Sequence, residues 1–115
     1  MSHNSQFQSC IDACLRCAAS CNHCASACLQ EEDVKMLARC IQLDLECAAI
    51  CNAAAQVMSL NGQYAEEICK VCADICFACA EECERHAHHM EHCRECAEAC
   101  RQCAEECRRM AGAAA

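Results

Sequence analysis

The stretch Cys10-Ile-Asp-Ala-Cys14-Leu-Arg-Cys17-Ala-Ala-Ser-Cys21-Asn-His-Cys24-Ala-Ser-Ala-Cys28 places six cysteines at steps of 4, 3, 4, 3 and 4. Alternation of three and four keeps one side chain per turn on a single face of an α-helix, the stripe that packs against partner helices. The same spacing returns downstream. Cys69, Cys72, Cys76, Cys79 and Cys83 form one further stripe, and Cys93, Cys96, Cys100, Cys103 and Cys107 another. Cys40, Cys47 and Cys51 form a sparser one, with Asp44 filling a position inside the seven-residue gap. The chain therefore reads as all-α: four amphipathic helices whose inward faces are mostly sulfur.

The first helix is expected from about Ser5 to Leu29. Asp33 reads as an N-cap for the second, which runs to about Leu60. Asn61-Gly62 reads as a turn, with Gly62 suited to a left-handed C-cap. The third helix runs from about Gln63 to Arg85 or His86. The segment His86-Ala87-His88-His89 reverses the chain into the fourth, which ends near Met110, leaving Ala111 to Ala115 to fray. Short connections make consecutive helices antiparallel, so the expected architecture is an up-down-up-down four-helix bundle, residues 1–115 forming one domain. Helix two is apolar nearly all round, with Val34, Leu37, Ile41, Leu43, Leu45, Ile50 and Val57. Helix one adds Ile11, Leu15, Ala18, Ala25 and Leu29 beside its cysteines. These residues either seal the seams between helices or pack subunits together.

Composition narrows function. The chain has 115 residues, of which 19 are Cys and 23 are Ala, with no Pro or Trp and a net charge of -8. Leu, Ile, Val and Phe make up only about 14% of it, so buried thiols must stand in for the usual core. The acidic balance and scarcity of aromatics argue against nucleic acid. No stretch approaches a membrane span, and the first ten residues lack the basic and apolar regions of a secretory signal. A reducing cytoplasm is the expected compartment. Nothing resembles a catalytic acid–base pair, an activated nucleophile or a phosphate loop, so no enzyme activity is expected.

Three uses of the thiols compete with simple packing. A disulfide scaffold conflicts with the odd count and with the near-parallel Cβ vectors of i,i+4 neighbours. A thiol redox reservoir needs exposed, activated thiolates, whereas these stripes point inward. Metal binding remains, and thiolate is a soft ligand that suits Cu(I), zinc or iron–sulfur clusters. The loop-borne knuckles of zinc sites and the trailing proline of ferredoxin runs are missing. Exchange of a thiol proton for Cu(I) leaves the interior charge unchanged, up to about one ion per thiol, whereas Zn2+ held by four unshared thiolates buries a charge of -2. Eight Cys-x3-Cys pairs can each clamp one ion from a shared helix face. A zinc or mixed-metal thiolate buffer with regulatory contacts stays open as the alternative.

The cysteine stripes, taken with the start of the chain, resemble those of the bacterial cytosolic copper storage proteins, a family of Cys-rich four-helix bundles. The resemblance implies a homotetramer whose bundles fill with Cu(I). It also implies that all 19 cysteines are metal ligands. It leaves the role of Asp44 open.

The topology gathers His86, His88, His89, Met90 and His92 at one end, with Met36 and Cys28 opposite. Imidazole and thioether both bind Cu(I), so this end is a candidate point of metal access. His86 leads the set because it continues the stripe 79, 83, 86. His23 lies off the stripe and reads as a surface residue. Met58 and Met110, near the other end, read as packing. Met1 and His3 belong to the terminus.

Overall fold

The computed structural model describes residues 5–112 and contains the four helices, α1 (Ser5–Cys28), α2 (Ala38–Ser59), α3 (Ala65–Glu84) and α4 (Glu91–Gly112). The expectations for Met1, His3 and residues 113–115 fall outside these residues. The helices run up, down, up and down. α1 packs on α2 and α4, and α3 packs on α2 and α4. The bundle measures 48 × 24 × 18 Å.

Every cysteine is fully buried. Beside the sulfur stripes lie buried alanines, among them Ala18, Ala48, Ala73, Ala80, Ala97 and Ala104. These small residues let neighbouring backbones approach closely enough for thiols to meet across the axis. Large side chains occur in the core mainly near its ends: Leu37 beside the α1–α2 connection, and Met58 and Met110 at the opposite end. Ile41, Leu43, Ile50 and Val57 are half-buried against the core and seal seams, as one of the two expectations held. Leu15, Leu29 and Leu45 remain exposed.

Three local expectations need correction. Asp33 does not cap α2. It precedes a 3-10 turn, Val34–Leu37, makes no side-chain cap bond, and α2 begins at Ala38. The left-handed residue after α2 is Asn61, with φ of 53°, rather than Gly62. The amide of Gly62 donates to the carbonyl of Val57 at 3.0 Å and that of Asn61 to Met58 at 3.0 Å. That pair of bonds is a Schellman motif, in which the left-handed position is the residue before the outermost donor. Gly62 serves close approach instead: an added Cβ would stand 3.0 Å from the Val57 side chain and 3.2 Å from its carbonyl oxygen. At the C-terminal end, α4 continues through Ala111 to Gly112 rather than fraying after Met110.

Candidate metal centre

The four stripes converge on the bundle axis and form a file of sulfur that one carboxylate, Asp44, enters. Contacts join facing helices: Cys17 to Cys47 at 3.7 Å, Cys47 to Cys76 at 3.5 Å, Cys51 to Cys103 at 3.7 Å and Cys21 to Cys100 at 3.6 Å. Contacts also run along each helix, as in Cys72 to Cys76 at 3.8 Å and Cys96 to Cys100 at 3.9 Å. The i,i+4 pairs thus present two sulfurs to one point, as the spacing predicts. All 19 thiols are free. The shortest separation, 3.5 Å, is far beyond the roughly 2.05 Å of a disulfide.

Sets of four ligand atoms lie within 4.8 Å of one another. They include Cys14, Cys51, Cys72 and Cys103; Cys17, Cys47, Cys51 and Cys76; and Cys17, Cys21, Cys47 and Cys100. Corners are shared, since Cys17, Cys47 and Cys51 each serve two of these sets. Four thiolates around one Zn2+ make a closed tetrahedron, but shared corners prevent neighbouring sets from closing independently. Bridging by monovalent soft ions fits the sharing directly.

Asp44 replaces a thiol in the α2 stripe. It is fully buried. Its Oδ1 accepts S–H bonds from Cys79 at 3.2 Å, Cys96 at 3.3 Å and Cys83 at 3.6 Å. Cys40 donates more weakly to Oδ2 at 3.9 Å. Burial pushes the Asp44 carboxyl up to about 9. Loss of water is the largest cause of that shift. Burial likewise pushes the Cys28 thiol up to about 11, with Cys40 adding. A thiol so raised keeps its proton at neutral pH until a metal displaces it.

One histidine joins the file. His92, in the first turn of α4, points Nδ1 at Cys24 (3.6 Å), Cys93 (3.6 Å) and Cys28 (3.9 Å). These four residues form a further ligand set within 4.8 Å. On its other side, Nε2 lies 3.1 Å from Glu31 Oε2. The Glu31 carboxylate accepts a hydrogen bond from Nε2–H, which fixes the tautomer and leaves Nδ1 as a lone pair facing the thiols.

The remaining members of the predicted set are less involved. His86 is half-buried and contacts Glu82 Oε2 at 3.2 Å rather than the thiols. Glu82 in turn pairs with Arg39 at 3.5 Å and Arg85 at 3.9 Å. His88 and His89 are exposed and lie side by side, their ring centroids 3.8 Å apart and their planes tilted by 44°. Met90 Sδ accepts a long contact from Cys93 at 4.0 Å. Met36 is exposed, and His23 is exposed as expected. The spacing argument ranked His86 above His92, and Glu31 was not singled out. The signal for His92 was present: it stands four residues before Cys96 and eight before Cys100, on the same helical face.

The family profile described as copper storage protein matches residues 3–112. The chain belongs to the copper storage protein family. Its bundle is similar to that of a cytosolic copper storage protein from Streptomyces lividans studied during copper loading with five coppers. The TM-score is 0.91 at 44% identity, over 94% of this chain and 93% of that one. It is also similar to the Cu(I)-bound copper storage protein BsCsp3. There the TM-score is 0.87 at 47% identity, over 92% of this chain and 98% of that one. An uncharacterized cysteine-rich protein of Bacillus subtilis strain 168, YhjQ, is 49% identical over 67 residues, 58% of this chain and 62% of that relative. The expected bundle and the expected family both hold. No helix among the described residues is long and apolar enough to cross a membrane.

Proposed function

We propose that this chain stores Cu(I) at high capacity by exchanging core thiol protons for metal. Each step is charge-neutral: Cys–SH and Cu+ give Cys–S–Cu and a released H+. The observation that carries the reading is the file of fully buried sulfurs along the bundle, with thiols 3.5–4.0 Å apart through its centre and the Asp44 carboxylate set among Cys40, Cys79, Cys83 and Cys96 toward the histidine end. Storage and buffering, rather than turnover, is the role of such a core. The copper-loaded relatives support it, and the one described as cytosolic supports the same compartment here. The four-helix unit spanning the chain acts as the storage domain, with the 19 cysteines as its ligands.

Copper reaches the file at the histidine end. There His92, Cys24, Cys28 and Cys93 offer a mixed nitrogen–sulfur site next to solvent, and His86, His88, His89, Met90 and Met36 surround the approach. The exposed Leu15, Leu29 and Leu45 support assembly of several chains, a tetramer by family likeness; light scattering on purified protein tests it.

An anaerobic Cu(I) titration of reduced protein against a chromogenic chelator tests the reading. The expected endpoint approaches the count of 19 thiols per chain. An endpoint of a few ions would overturn it. Four to six tightly held zinc ions with a low Cu(I) ceiling would favour the zinc buffer.

A further inference from the structure

The file has a second end, and it stops at a thioether. Met58, near the C-terminus of α2, is 2% exposed. Its Sδ lies 3.6 Å from Cys69 Sγ, the first thiol of the α3 stripe. Cys69 neighbours Cys10, and Cys10 and Cys14 each lie 3.6 Å from Cys107. Three stripes therefore end together, and Cys69 among them touches the Met58 sulfur.

Resting on the storage reading, we propose that Met58 is a metal ligand that completes the terminal Cu(I) site formed with Cys69 and its neighbours Cys10 and Cys107. An ion in the middle of the file has thiols above and below it. An ion in the last layer has them on one side only, and Met58 supplies a soft donor on the other. A thioether has no proton to lose and carries no charge, so it adds a bond without adding to the buried negative charge. The free protein already aims the lone pair. Met58 sulfur accepts the Cys69 S–H bond, and when that proton is exchanged for Cu(I) the same lone pair faces the incoming ion. The Cys69 proton leaves as H+, the Cys69–Cu bond forms, Met58 adds a dative bond, and no electron is transferred.

Other methionines do not share this position. Met36 is exposed. Met90 is half-buried at the histidine end, and its sulfur contact is 4.0 Å. Met110 is buried at the same end as Met58, but among the described residues the thiol contact there is to the Met58 sulfur. If filling space were the whole requirement, Leu would serve at position 58 with almost the same volume.

Selenium provides the test. Selenomethionine-substituted protein is saturated with Cu(I), its copper content is measured, and selenium X-ray absorption is recorded. The chain has five methionines; on a Met90→Leu background, which removes the one beside Cys93, a direct selenium–copper neighbour is expected for about one of the selenium atoms that remain. Met58→Leu should abolish the signal, and Met110→Leu should leave it intact. A copper-filled protein without the signal, or with one that survives Met58→Leu or disappears in Met110→Leu, would overturn the proposal while leaving storage standing. Failure to fill with copper would count against storage itself, which the copper content reports separately.

Discussion

The two ends of the bundle close the same sulfur file with different chemistry. At the α1–α2 and α3–α4 connections stand two imidazoles, the two carboxylates they contact and a pair of exposed histidines, with His92 itself 14% exposed. Glu31 and Glu82 there hold His92 and His86. At the other end stand Met58, Met110 and Phe7, carbon and thioether packed against the core. A site that must exchange ligands with a donor needs groups reachable from water. A site that only ends a store needs groups that exclude it. The contrast gives the file a direction that its nearly uniform cysteines do not. Asp44 lies between the two ends, one helical turn along α2 from Cys40.

The largest expected effect tests that dividing residue. With its carboxyl raised to about 9 in the fold against roughly 4 in the unfolded chain, Asp44 holds an extra proton in the native state between those pH values. Its effect on stability is therefore favourable below about pH 4 and is lost as pH rises toward 9, by up to about 1.4 kcal/mol per pH unit. Urea unfolding of reduced apo protein at pH 5.5 and 8 should show this slope, and Asp44→Asn should flatten it. Equal slopes in both proteins would mean that Asp44 is ionised in the core.

The next effect compares the ends directly. His92→Ala should slow Cu(I) uptake from a chelated donor by about a hundredfold, while total capacity falls by no more than one or two ions. Met58→Leu should leave the uptake rate unchanged. Stopped-flow loading of both variants checks this, and equal slowing would erase the distinction between the ends. Glu31→Ala acts through His92 and should slow uptake by about tenfold. Its imidazole nitrogen resonances should also show a mixture of tautomers, which a purely structural role for Glu31 would not produce.

The smallest effect concerns the turn at the Met58 end. Asn61→Gly should stabilise the apo bundle by about 0.5 kcal/mol, since glycine adopts the left-handed position more readily. Gly62→Ala should destabilise it, because the new methyl meets Val57. Thermal melts of the two variants should shift in opposite directions.

The cysteine register was legible because it obeys helical periodicity and nothing interrupts it within α1, α3 or α4. Asp44 was legible as a member of that register. Extrapolation failed where helices end. The stripe 79, 83, 86 assumes that α3 continues, but α3 stops at Glu84 and the His86 amide bonds Cys83 at 3.0 Å, three residues back. That tighter turn carries the imidazole toward Glu82. Glu31 was invisible for a related reason: it lies in a connection, and its distance in sequence from His92 says nothing about their contact. The Asp33 reading failed because the chain inserts a 3-10 turn that buries Leu37 before α2 begins. No local capping signal encodes that demand of the core. Asn61 and Gly62 exchanged roles because a Schellman ending uses two residues with different needs, one for backbone angle and one for space.

Cys17, Cys47 and Cys51 each belong to two ligand sets, and this has a consequence for how the store fills. When one sulfur serves adjoining positions, an ion's hold depends on whether the neighbouring position is occupied. Affinity then belongs to the degree of filling rather than to any residue. Such a core behaves like a ladder of rungs with common rails. An ion can advance by changing one bond at a time, and the chemical potential of copper inside the protein changes gradually from nearly empty to nearly full.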